Sequence, residues 1–98
     1  MNQIELAIKN SDRILLDKIY QELSHFDELT FELEQFNASD IDVLNRFIKF
    51  RKGHKLTIIV TNDIRVGDLQ NINVREKSVK QLTITIPGIT FHTNSNII

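Results

Sequence analysis

His25, His54 and His92 are the side chains best suited to proton transfer or metal binding at neutral pH, in a chain that has no cysteine. They fall in different elements, and no spacing puts two of them on one face. A metal site needs two or more ligands converging, so these three read as surface or cap histidines and no metal is expected. Glu32 and Glu34 share one face of a strand and could form a carboxylate pair for acid–base work. Solvated residues on a sheet edge, or partners of a basic helix end, explain them more simply. Gly53, Gly67 and Gly88 stand alone, so no glycine-rich loop cradles a phosphate. There is no Gly-x-Ser-x-Gly elbow and no thiol nucleophile. The expectation is a protein that is not an enzyme and carries no cofactor.

The strongest local charge bias is Arg46, Lys49, Arg51, Lys52, His54 and Lys55. Such a cluster could meet a phosphate backbone. Asp40 and Asp42 lie at the opposite end of the same helix, however, so the pattern equally matches a helix dipole, with acids at its head and cations at its tail. Phe47 falls on the core face, leaving no exposed aromatic to stack on bases. The formal net charge is −1, so no whole-molecule field attracts nucleic acid or membranes. Nucleic-acid binding is therefore disfavoured. Asn37-Ala38-Ser39 is formally a glycosylation sequon. The first residues lack the basic and apolar regions of a secretion signal, and no apolar run approaches ~20 residues. A cytoplasmic protein without membrane insertion is expected.

Ninety-eight residues with one proline and three glycines suit a single domain, 1–98, without a linker. Gln3 to Lys9 alternates and reads as a short strand. Asn10-Ser11-Asp12 then offers a helix cap. Leu15, Leu16, Ile19, Leu23 and Phe26 recur at three-to-four spacing, so an amphipathic helix is expected from Asp12 to His25. Leu29–Leu33 reads as a strand. Asn37 to Asp40 opens a second helix, with Ile41, Leu44, Phe47, Ile48 and Arg51 on one face and Gly53 just past its basic end. Leu56–Val60 is nearly continuously apolar, which suggests a central strand buried on both faces. Asp63 to Asn71 permits a short third helix weakened by Gly67. Gln81–Ile86 alternates as a strand. Pro87-Gly88 suits a type II turn or kink but makes a poor two-residue hairpin loop. Ile89 to Phe91 could add an edge segment, and the chain from Thr93, at 94–98 above all, is expected to be loose.

Alternation of this kind implies an α/β fold: one open, mainly parallel sheet of four to five strands with two to three helices. A second reading competes with it. Leu29-Thr30-Phe31, Leu56-Thr57-Ile58 and Leu82-Thr83-Ile84 begin alike at nearly constant spacing, within the range of leucine-rich repeats. Against a solenoid, Glu34, Thr61 and Pro87 occupy the positions where that repeat wants asparagine. No terminal caps are visible either.

From Phe36 to Val74 the chain resembles the STAS domain of anti-sigma-factor antagonists. The resemblance rests on Asn37-Ala38-Ser39-Asp40-Ile41-Asp42-Val43-Leu44, Phe47-Ile48, the turn Lys52-Gly53-His54-Lys55 into Leu56-Thr57-Ile58, and Asn62 to Val74. Asn37 stands where that family has aspartate, Ala38 replaces the first serine and Asp40 the glycine. The resemblance implies a regulatory or accessory module binding a kinase or ATPase subunit, with Ser39 matching a phosphorylation switch. Ser39-x-x-Asp42 also forms a capping-box-like pattern, which explains the serine without any switch. The docking face would comprise Ser39, Asp40, Asp42, Val43, Arg46 and Lys49. A leucine-rich-repeat-like recognition protein, a nucleic-acid binder and a toxin inhibitor are the alternatives.

Overall fold

The three Leu-Thr-aliphatic segments become neighbouring strands. In the computed structural model, which describes residues 1–94, the strands are β1 (Glu28–Leu33), β2 (Lys55–Val60), β3 (Gln81–Ile86) and β4 (Ile89–Asn94), and they lie side by side in that order. β1, β2 and β3 are parallel, and β4 returns antiparallel to β3. The register sets Leu29 beside Leu56 beside Leu82, and Thr30 beside Thr57 beside Thr83. The repeat seen in the sequence is thus a repeat in space, within an open, mixed, mostly parallel α/β sheet.

Alternation decides which face is covered, because successive strand side chains point to opposite sides. Phe31, Leu33, Leu56, Ile58, Val60, Leu82, Ile84 and Ile86 are buried on one face. Thr57, Ile59, Thr83 and Thr85 on the other are only half-buried. The central strand is therefore covered on one side, not on both as its apolar run suggests. All the helices pack against a single face, and the smallest extent of the molecule, 18 Å, fits two layers.

Three α-helices supply the second layer: α1 (Gln3–Lys9), α2 (Arg13–Glu22) and α3 (Ile41–Phe50). The segment expected as a first strand is α1. Ile4, Leu6 and Ile8 alternate, but Ile4, Ala7 and Ile8 also lie at helical spacing, and Asn2 decides the matter. Its side chain accepts the Glu5 N–H at 2.8 Å and starts the helix. Ala7 and Ile8 are buried, whereas Leu6 is exposed. α2 begins as expected, with Asp12 accepting the Leu15 N–H at 3.0 Å. It ends at Glu22, so Phe26 is exposed and does not join the helix's apolar face. In place of the expected third α-helix, 3-10 turns run Val66–Asn71 and Val74–Glu76. Gly67 and the short polar side chains there favour turns over helix.

Pro87-Gly88 does form a two-residue hairpin loop, contrary to expectation, since Ile86 pairs with Ile89. Gly88 takes φ 83°, the value a type II turn requires at its third residue. β4 includes Thr93, so the chain is ordered strand where looseness was expected. The rest of the expected tail, 95–98, lies outside the described residues.

Polar clasps tie successive turns of chain together. The Asn62 side chain donates to the Phe36 carbonyl at 2.7 Å and accepts the Phe36 N–H at 3.0 Å. Asn45 likewise donates to the Asn71 carbonyl at 3.0 Å and accepts the Asn73 N–H at 2.7 Å. Buried Glu5 accepts the backbone N–H groups of Glu34 and Gln35, each at 2.9 Å, holding α1 at the end of β1. Buried Arg51 donates to the Leu23 carbonyl at 3.1 Å and to the Phe26 carbonyl, fixing the loop between α2 and β1. Gly53, at φ 138°, lies against this clasp, where an added Cβ would sit 2.9 Å from the Asp27 carbonyl.

Candidate functional site

Two stripes of side chains face each other across a gap between α2 and α3. On α2, burial of Leu16 and Ile19 turns Arg13, Asp17 and Tyr20, spaced at three and four, along one flank. On α3, burial of Ile41, Leu44, Phe47 and Ile48 does the same for Asp42, Arg46 and Lys49, with Phe50 beside them. Between the stripes lies an open groove of about 670 Å³, with Leu16 and Val43 at its base.

Aromatic rings run from the core to the rim of this groove. Buried Phe31 meets buried Phe47 edge-on at 5.2 Å, Phe47 meets Tyr20 at 5.5 Å, and Tyr20 meets Phe50 at 6.2 Å. Phe50 ends the chain with 54% of its surface exposed. Lys49 Nζ stands 5.7 Å from the centre of the Phe50 ring, close enough for a cation–π contact. Such a ladder holds the exposed ring in place, so it loses little freedom when something docks on it.

Four of the five charged side chains lining the groove have no partner within the described fold. Among the described residues, Arg13, Asp17, Asp42 and Arg46 make no ion pair and no side-chain hydrogen bond, whereas Lys49 pairs with Glu76 at 3.8 Å. Burial pushes the Tyr20 hydroxyl up from 10.0 to about 12, Asp17 adds to the rise and Arg46 opposes it. Tyr20 is therefore a hydrogen-bond donor at neutral pH, not a base. The groove can hold a segment carrying both charge signs and an apolar anchor. Among the described residues, no three of the His, Asp and Glu side chains cluster to hold a metal ion.

Of the residues expected to form a docking face, the fold gathers Asp42, Val43, Arg46 and Lys49 in this groove. Ser39 and Asp40 lie elsewhere. Asp40 is buried, accepts Lys9 Nζ at 2.7 Å and accepts the Asn37 N–H at 3.1 Å. It belongs to the framework and does not present itself to a partner. The helix entry is capped by Asn37, which accepts the Ser39 N–H at 3.0 Å in a capping box with Asp40. The expected Ser39–Asp42 box does not form. Ser39 sits inside the 3-10 turn Ala38–Asp40, exposed, with its hydroxyl bonded to Asn37 Oδ1.

Sequence reasoning missed Arg13, Asp17, Tyr20 and Phe50 as site residues. Arg13 and Asp17 lie on the polar side of an amphipathic helix, and nothing local shows which helix lies opposite them or Tyr20. The basic stretch does not form one surface, because Arg51 is buried and Lys55 pairs with Glu28 at 3.4 Å. No described helix is long and apolar enough to cross a membrane. The chain matches no known protein family, no curated protein and no solved structure.

Proposed function

We propose that the protein is a non-enzymatic interaction module that takes a segment of a protein partner into the groove between α2 and α3. The observation behind this reading is the set of four charged side chains without partners among the described residues, gathered round an exposed aromatic ring that is braced from the core. Charges with no structural role, beside an apolar anchor, match the anatomy of a recognition surface, in which a few aromatic and arginine residues carry most of the binding. A regulatory kinase or ATPase subunit is the kind of partner that the STAS resemblance implies. Affinity capture from the native host with the wild-type chain and with Asp42→Lys/Arg46→Glu is the test. The wild type should retain its partner and the double variant should lose it. A partner bound equally by both would overturn the reading.

The in-register Leu-Thr repeat favours a second reading, recognition through the bare sheet face, as in leucine-rich-repeat proteins. Thr30, Thr57 and Thr83 form a row across that face, and His92 extends it, with its Nδ1 3.0 Å from Thr83 Oγ1. In the same capture experiment, Ile59→Arg should abolish retention on this second reading and leave it intact on the first.

A further inference from the structure

We infer that the end of the sheet where β1, β2 and β3 begin binds single-stranded nucleic acid, with phosphates on its cations and bases on Phe26 and Phe50. Three segments distant in sequence meet there. Arg51 donates to the carbonyls of Leu23 and Phe26, and the Asp27 carbonyl accepts the N–H groups of His54 and Lys55. The Gln81 N–H donates to the His54 carbonyl at 2.9 Å. Ser78 donates its N–H to the Ile48 carbonyl and its hydroxyl to the Lys49 carbonyl. Residues 23–28, 49–55 and 75–81 therefore form one continuous surface around the tail of α3.

Charge is sorted between the two ends of the sheet, although the chain as a whole sums to −1. Residues 49–55 and 75–81 carry seven lysines and arginines and a single acid, Glu76. At the far end, residues 34–42 and 61–65 carry four acids and one cation, Arg65. The dipole of α3 accounts only for the charges on that helix. Arg75, Lys77 and Lys80 lie outside it, as does Asp63. Ion pairing then separates the cations that the fold uses. Lys49 pairs with Glu76 at 3.8 Å, Lys55 pairs with Glu28 at 3.4 Å, and Asp27 acts on buried Arg51. Among the described residues, Lys52, Arg75, Lys77 and Lys80 make no ion pair and no side-chain hydrogen bond. Of these four, only Lys52 comes from the basic stretch of the sequence; the others arrive with the chain that leads into β3.

Two aromatic rings distinguish this end from a merely solvated charged face. Phe26 and Phe50 are each more than half exposed. Tyr20 braces the Phe50 ring at 6.2 Å, and Arg51 holds the backbone of Phe26. Proteins bind single strands without reading their sequence by this combination, in which bases stack on held rings and the backbone follows the cations. A membrane surface fits less well. Surface-bound helices sink a broad apolar face into the lipid, whereas α3 turns its apolar face into the core. A double helix keeps its bases stacked on one another and offers the rings nothing.

Fluorescence anisotropy of a labelled oligothymidylate of about 16 nucleotides tests the assignment. About four phosphate contacts give a log–log salt slope near −3, so affinity should fall about 50-fold between about 50 and 200 mM salt. Lys52→Gln combined with Lys80→Gln should halve that slope. Phe50→Leu should weaken binding about tenfold at fixed salt and leave the slope unchanged, because it removes stacking and no charge. Phe26→Leu, in a loop outside the aromatic ladder, should act in the same direction. Arg65→Gln removes a cation from the far end and should bind as the wild type does. All the variants should keep the wild-type circular dichroism spectrum. Absence of binding at low salt would overturn the assignment, as would equal losses from Arg65→Gln and from the lysine pair. Equal affinity for a duplex of the same length would overturn the role of the rings. Binding to vesicles containing phosphatidylserine without binding to the oligonucleotide would overturn it in favour of a membrane surface.

Discussion

Asp40 and Asp42 stand at the head of α3, and Arg46 and Arg51 near its tail, yet each pair divides between two regions of opposite character. At the ends of the strands the charges are clasped. Asp40 holds Lys9, and Arg51 spans the carbonyls of Leu23 and Phe26. Along the groove, Asp42 and Arg46 make no contact with another charge among the described residues. A charge withdrawn from water persists only when the fold supplies partners, so the clasped set is structural and its removal leaves orphaned polar groups. A charge kept in water costs the fold little and stays free for something outside it. Residue type alone does not separate the two regions. Partnership does.

The strongest way to break this contrast is to remove one arginine from each region. Arg51→Met removes the buried guanidinium that ties down two part-buried carbonyls and should cost about 2–3 kcal/mol of stability. Arg46→Met should stay within about 0.5 kcal/mol, as for ordinary surface changes. Urea unfolding of both variants measures the difference. Partner capture should rank them the other way, with Arg46→Met the weaker binder. Equal stability losses would erase the division between framework and groove. Burial lowers the Arg51 pKa and Asp27 partly offsets this.

A smaller effect sharpens the same contrast at the entry to α3. Asn37 caps the turn and Ser39 does not, so Asn37→Ala should cost about 1 kcal/mol, and Ser39→Ala only a few tenths. Thermal unfolding of the two variants checks this. The reverse order would return Ser39 to the cap position that its spacing from Asp42 suggests.

These contrasts also mark what could be read from the sequence. β1 to β3 and α3 were legible because their signals are local: alternation in Leu82 to Ile86, and three-to-four spacing from Ile41 to Ile48. α1 was misread because seven residues are too few to separate the two periods, and the deciding residue, Asn2, lies outside the apolar pattern. β2 looked buried on both faces because Ile59 is apolar, but whether a second layer covers it depends on where distant helices go. The same holds for the site. Asp42, Val43, Arg46 and Lys49 follow from one helix, whereas Arg13, Asp17 and Tyr20 join them only through tertiary packing. Arg51 shares the spacing of Ile41, Leu44, Phe47 and Ile48, so its place on the core face was legible, but nothing local showed which carbonyls it would clasp.

Tyr20 offers the finest measure of the groove, because it is the only tyrosine in a chain without tryptophan. Its pKa, raised from 10.0 to about 12, is set first by burial, then by Asp17, against Arg46. A raised value means that the folded state holds the phenolic proton more tightly than the unfolded state. The associated stability is therefore complete below pH 10.0 and is lost as pH climbs to about 12. Absorbance of the tyrosinate should titrate near pH 12 in the native protein and near 10 in urea. Asp17→Asn should move the native midpoint down and Arg46→Gln should move it up, since each removes one charge acting on the ring. If the native midpoint instead coincided with the unfolded one, the ring would stand in bulk solvent. The aromatic ladder would then stop at Phe47, and Phe50 would lose the brace that makes it an anchor.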